Sequence, residues 1–383
     1  MRYLNLFFLR DKSVKRMSYL CEHVFEGQRD NREECLFPSS ICARNPESVK
    51  GSLGGFMKEK KECRRYCGVG GQAVLEGVMM KNRDKYAVAV RKPDGKITVM
   101  TEEYKGCAEG AAWKKLPFVR GVFNFADSLI LGLRSLNYSA SFYEDDEAEE
   151  TAVDKAMDKL AGDKSETVFT TITLILSFAL AIGLFMLLPY FAAQKLTEYI
   201  RNESLLALLE GIIRIVIFLI YIVAISAMKD IRRVYQYHGA EHKCINCIER
   251  GYELNVENVK KSSRQHKRCG TSFLLFVVLV SIIVFFFIRV DQPLLRVVLR
   301  IALIPVIAGI SYEIIRLAGR TDNPVVNIIS APGLWLQKLT TREPDEDMIE
   351  VAIASVEAVF DWKAYFKETF GVEVGENDHG DNR

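Results

Sequence analysis

Four stretches of about 20 mainly apolar residues, at 168–193, 205–228, 272–290 and 294–318, constrain this chain more than any other feature. An α-helix rises about 1.5 Å per residue, so each stretch is long enough to cross the ~30 Å hydrocarbon core of a bilayer. The expected fold is therefore mainly α: a polytopic membrane protein with four transmembrane helices. The segment 229–271 between the second and third stretches carries Lys229, Arg232, Arg233, Lys243, Arg250, Lys260, Lys261, Arg264, Lys267 and Arg268, whereas the other two connections are short and poor in basic residues. By the positive-inside rule that segment and both termini face the cytoplasm, and the protein sits in the cell membrane.

The flanking regions are of another kind. Residues 1–66 mix charges, cysteines and turn formers without periodicity and read as a poorly ordered extension. Its apolar start at 1–9 is too short to span and runs into Arg10, Lys12, Lys15 and Arg16, as in a transit or anchoring peptide, with Met57 as an alternative start. Residues 67–110 predict a small cytoplasmic β domain. Its hairpin is formed by 86–90 (YAVAV) and 97–100 around Pro93, Asp94 and Gly95, with a third strand from 70–80 bent at Gly77.

The region 111–165 predicts an amphipathic helix in the membrane interface, with Phe118, Val122, Phe125, Leu129, Leu133 and Leu136 at helical spacing, followed by an acidic linker at 144–150. The region 321–383 predicts a C-terminal amphipathic helix over 344–370, with Ile349, Ile353, Val356 and Phe360 on one face. That face is expected to pack on the sheet or on a second copy of the chain. Membrane lipids and a homo-oligomer are thus the expected partners. Lys+Arg 51 against Asp+Glu 49, a formal charge of +2, gives no global basic signature, so nucleic acid is not an expected partner.

Chemistry concentrates in the cytoplasmic segment. The chain has nine cysteines, an odd number without secretory spacing, which reads as reduced thiols facing a cytosol. Three of the five histidines, His238, His242 and His266, share one segment with Cys244, Cys247 and Cys269. The pattern H-x-x-E-H at 238–242 places two imidazoles at i and i+4, on one face if the second spanning helix continues past Met228, with Glu241 beside them as a base. His266 and Cys269 lie just before the third spanning stretch, so a helical hairpin closes the ligand set from both ends. The mixed N and S donors favour Zn²⁺.

Two readings follow from this constellation. One is a zinc-dependent hydrolase-like site of His238, His242 and Cys269 or His266, with Glu241 as the catalytic base. The other is a non-enzymatic oligomeric scaffold or channel whose His/Cys cluster is a structural clamp. Two weaker motifs are set aside: G-x-G-x-x-A at 68–73 lacks its strand-to-helix context, and C-x-x-C at 244–247 lacks a thioredoxin-like one.

Among the charges inside the apolar stretches, four fall in the same outer half of the bilayer: Glu210 and Arg214 in the second stretch, Arg296 and Arg300 in the fourth, each pair at i and i+4. An unpaired charge at such depth costs at least ~2.5–3.5 kcal/mol. Glu210, Arg214 and Arg300 are expected to form one network between the second and fourth helices, with Arg296 close enough to its helix end to snorkel. Glu313 and Arg316 read as interfacial anchors.

The segments 70–80 (GGQAVLEGVMM), 237–243 (YHGAEHK), 266–273 (HKRCGTSF) and 332–337 (PGLWLQ) with 339–345 (LTTREPD), in that order, resemble the YqhQ-like bacterial membrane proteins. That family is a domain of unknown function carrying the label of a predicted metal-dependent enzyme. The resemblance runs from about residue 70 to 360 and implies the multi-pass topology and a metal-dependent activity. Lys267 stands where the family usually has Pro, and Cys244 where it often has Thr, which implies that Cys244 is not a required ligand.

Overall fold

A computed structural model describes residues 65–107, 116–143, 165–288, 290, 292–320 and 323–372. The extension expected at 1–66, apart from residues 65 and 66, and the acidic linker at 144–150 lie outside the described residues. The chain is mainly helical around one small antiparallel sheet of strands β1 (Val69–Val74), β2 (Gly77–Asn82), β3 (Lys85–Arg91) and β4 (Ile97–Glu103), in spatial order β1-β2-β3-β4. The stretch 70–80 is thus two strands, not one strand bent at Gly77. The hairpin turns at Leu75 and Glu76, with Glu76 at φ 50°. Arg233 and Tyr237 hold the Glu76 carboxylate from the other side. Gly77 serves a different need, because a Cβ there would lie 2.3 Å from the Ala89 carbonyl oxygen on β3.

Both faces of the sheet are covered, which explains why β2 and β3 are buried almost continuously. On one face Val69, Val78, Met80 and Ala89 pack against α5 (Lys229–Glu249) and α11 (Glu346–Val359) through Tyr237, Ala240, Cys244, Ile248, Ile349 and Ala352. On the other, Val74, Met79, Tyr86, Val88 and Val90 pack against α1 (Val119–Ala140) through Leu131. The amphipathic helix expected in the region 111–165 is α1, and it has protein on its inner side. It also meets α9 (Ile304–Arg320), where Arg120 donates to Glu313 at 2.6 Å and Asn124 to the Tyr312 hydroxyl at 2.6 Å. Glu313 is an inter-helix partner here rather than only an interfacial anchor.

The apolar stretches form α2 (Ser165–Ile182), a π-helical turn (Gly183–Leu187), α3 (Leu188–Lys195), α4 (Glu203–Ser226) and α7 (Gly270–Phe287). Among the described residues three helices, bounded as Ile175–Glu198, Glu203–Ser226 and Gly270–Phe287, are long and apolar enough to cross a membrane. The fourth predicted span is a pair, α8 (Pro293–Ala302) and α9, bent by 40° at Leu303.

The C-terminal region departs from expectation twice. The expected helix at 344–370 is two helices, α11 and α12 (Trp362–Phe370), broken where the Asp361 carboxylate accepts from the Ala364 N–H at 2.9 Å. An unforeseen helix, α10 (Pro324–Thr340), precedes them. It carries Pro332 and Gly333 in its interior, a pair that reads as a turn in sequence. A Cβ at Gly333 would lie 2.8 Å from Ser272 Oγ, so the glycine lets α10 lie close on α7.

Candidate metal centre

The second apolar helix, α4, does not run on through Met228. It ends at Ser226, and Met228, with ψ 135°, starts α5 afresh. The basic segment between the second and third stretches is thus mostly helix: α5, then α6 (Val256–Lys261), then a return at 262–269 that leads into α7.

From Gly239 to Glu249 every residue of α5 is buried, polar ones included. Buried donors and acceptors need partners, and one face of α5 finds them on the backbone of α6 and of the return. Lys243 Nζ donates to the carbonyls of Lys260 (2.8 Å) and Ser262 (3.0 Å), and Asn246 Nδ2 to those of Ser263 (2.6 Å) and Gln265 (3.0 Å). His242 Nδ1 donates to the Arg264 carbonyl at 2.7 Å. Gln337 of α10 clamps His266 from the opposite side: its Oε1 accepts the His266 N–H at 2.8 Å and its Nε2 donates to the His266 carbonyl at 2.7 Å. These bonds fix the position of Cys269 at the N-terminus of α7.

His238, His242 and Cys269 bring one ligand atom each to within 4.8 Å of one another. His238 Nδ1 faces the Thr340 carbonyl at 2.9 Å. A carbonyl oxygen only accepts, so Nδ1 of both rings carries the proton. Each ring then presents its Nε2 to the cluster, and His238 Nε2 lies 3.2 Å from Cys269 Sγ. Metal-ligating histidines recurrently show this arrangement, an outer N–H held by a carbonyl and the inner nitrogen left for the ion.

Gly239 makes the first of these bonds possible. A Cβ there would lie 2.0 Å from the Arg342 carbonyl oxygen, so glycine alone lets the 340–344 segment press against α5, where the Arg342 N–H also donates to the Tyr235 carbonyl at 2.9 Å.

Electrostatics make Cys269 a ready ligand. Burial alone would raise its thiol, but His238 and His242 outweigh burial and hold it well below the ordinary range. Burial likewise opposes the His238 cation, yet Cys269 beside it brings that ring up to about 9. A metal entering between them displaces one proton. Glu241 is buried on the same helix. Burial raises its carboxyl above the usual range, against the two histidines and the Gly71 N–H, which favour the anion. Gly71 again fits by lacking a side chain, since a Cβ there would lie 2.9 Å from Glu241 Cγ.

His266 is not brought into the three-ligand set. Its Nε2 lies 3.5 Å from Glu249 Oε2 and 3.4 Å from Arg268. Cys244 and Cys247 point into the core under the sheet. Burial, with Arg268 assisting, pushes the His266 ring down to about 4. The folded protein therefore refuses a proton that the unfolded chain takes up near pH 6.5. Stability is expected to be full at neutral pH and to fall between about 6.5 and 4, by at most ~3 kcal/mol. Thermal midpoints of detergent-solubilised protein from pH 7 to 5 check this, with a shallower fall expected for His266→Gln.

Sequence reasoning missed Gln337, Thr340 and Arg264. Thr340 and Arg264 act through backbone carbonyls, which no residue type reveals. Gln337 left one sign, an amide at the end of the apolar run Leu334, Trp335 and Leu336.

Two comparisons bear on this chain. The family model described as "Protein of unknown function (DUF1385)" matches residues 116–362. "Uncharacterized protein YqhQ" of Bacillus subtilis (strain 168) is 38% identical over 287 residues, covering 75% of this chain and 90% of that protein. No solved structure matches.

Proposed function

For this chain, which belongs to the DUF1385 family of proteins of unknown function, we propose a metal-dependent, hydrolase-like integral membrane enzyme that holds one Zn²⁺ at the cytoplasmic membrane surface. The observation that carries the reading is the convergence of His238 Nε2, His242 Nε2 and Cys269 Sγ, with both outer Nδ1 protons committed to carbonyls. His238, His242 and Cys269 would hold the ion, and Zn²⁺ so held would supply Lewis-acid polarisation and acidify water there. Glu241, one residue from His242 and raised by burial, is the group that takes and returns a proton. In this reading the bent pair α8–α9 makes the fourth crossing, both termini are cytoplasmic, and lipid or a second copy covers exposed apolar residues such as Leu176, Phe178, Ile220 and Val223.

The rival reading is a structural clamp. It is favoured by one fact: the cluster ties α5, which lies under the sheet, to the first turn of α7, and so joins the sheet layer to the apolar helices.

Glu241→Gln separates the two. The amide keeps the shape but cannot accept the proton, so the variant is expected to retain its metal and to fail in complementing a bacterium deleted for its own family member. Full complementation would favour the clamp. Topology has its own test: single cysteines at Arg250 or Lys260 are expected to resist membrane-impermeant maleimide in intact cells, and labelling from outside would reverse the orientation.

A further inference from the structure

A second site lies at the other end of α4, away from the metal centre. Glu210, Arg214 and Arg300 are 8%, 3% and 6% exposed, inside helices otherwise lined by apolar side chains. Arg214 Nη2 donates to Glu210 Oε1 at 2.6 Å, and Arg300 Nη2 to Oε2 at 2.9 Å. Arg300 Nη1 sits 2.7 Å from Oε1 but off the direction of a hydrogen bond, and it has no hydrogen-bond acceptor among the described residues. Two guanidinium groups thus share one carboxylate whose two oxygens are already engaged. Arginine does not shed its proton to relieve the excess, so one positive charge is left over.

The surroundings are built to hold these cations rather than to neutralise them. Pro189 has no N–H to give the Phe185 carbonyl, four residues earlier in the π-helical turn, and Arg214 Nε fills that vacancy at 3.1 Å. Ser281 Oγ accepts from Arg214 Nη1 at 3.2 Å. Arg214 and Arg300 both lie over the Phe285 ring, at 5.2 and 5.0 Å. Every one of these partners is neutral. Arg296, one turn from Arg300, is only partly buried and stays outside the network, with Nε on the Val290 carbonyl at 2.8 Å and its guanidinium over Tyr190.

We propose that Arg300, supported by Glu210 and Arg214, is a site for one phosphate-type oxyanion of single negative charge, with Arg296 at its entrance. A surplus guanidinium in an apolar bundle is tolerated where it meets an anion. A phosphodiester headgroup and a free inorganic oxyanion share the required chemistry, namely one charge and oxygens suited to the planar guanidinium fork.

The experiment uses the full chain purified in maltoside micelles, which carry no phosphate. Thermal midpoints are compared with no addition, with sodium phosphate against sodium chloride of equal ionic strength, and with micelles doped with phosphatidylglycerol. The wild type is expected to gain several degrees from one of the two anions. A gain with phosphate assigns a free oxyanion, and a gain with the lipid alone assigns a headgroup. Arg300→Met removes the surplus and leaves the Glu210–Arg214 pair neutral, so it is expected to be at least as stable as wild type without anion and to gain nothing from either. No shift in the wild type, an equal shift in both proteins, or an Arg300→Met chain that fails to fold would each overturn the site.

Discussion

Replacing both His238 and His242 by alanine is expected to abolish binding of the divalent metal, leaving a protein that still folds and elutes as wild type in detergent. The double change leaves Cys269 as the only protein donor of the set, and Zn²⁺ sites are built on three or four. Loss of an outer-shell partner alone costs ~10–100-fold in affinity, and loss of two ligands must exceed that. The fold should survive because α5 is fastened at other points, through Glu76 to Arg233 and Tyr237 and through Lys243 and Asn246 to the return segment. Metal content after dialysis, read beside the elution profile, checks both halves. Full retention by the folded double variant would remove the proposed site.

Gly239→Ala is expected to have the largest effect of any single-methyl change near the centre. The added carbon would fall 2.0 Å from the Arg342 carbonyl oxygen, which belongs to backbone and cannot rotate away. Either α5 or the 340–344 segment must move, and overpacking of this kind costs ~1–3 kcal/mol or more. The movement also takes the Thr340 carbonyl from His238 Nδ1, so metal affinity should drop together with the thermal midpoint. Gly70→Ala is the matched control, since nothing lies within 4 Å of its added Cβ, and should be close to neutral. Equal behaviour of the two variants would show that the close approach at Gly239 does not matter.

Some of this architecture could be read from residue patterns and some could not, for identifiable reasons. The apolar stretches were legible because bilayer thickness sets a length that few other elements reach. The hairpin of β3 and β4 was legible from alternation around Pro93, Asp94 and Gly95. The break at Met228 was hidden, since Ala227 and Met228 are ordinary helix residues and neither carries a local stop signal. Helix α10 was hidden for the opposite reason: Pro332 and Gly333 are strong turn formers, but close packing on Ser272 outweighs their local preference.

The same division runs through the two sites. Spacing pointed to His238 and His242, and position just before the third stretch pointed to Cys269, because ligand chemistry resides in side-chain type. It could not choose between Cys269 and His266, since that depends on Glu249 and Arg268 holding the His266 ring elsewhere. The charges inside the apolar helices were legible as a cost seeking partners. Their neutral supports were not, because the Phe185 carbonyl is exposed as an acceptor only once Pro189 lies one turn along the same helix.

Metal stoichiometry combined with X-ray absorption on the full wild-type chain, purified in maltoside without chelator, tests the His238, His242 and Cys269 site. About one equivalent of Zn²⁺ per chain is expected, with nitrogen neighbours at about 2.0 Å and one sulfur at about 2.3 Å. A metal-free chain that takes up none on addition of zinc, or a zinc shell without sulfur, would contradict it.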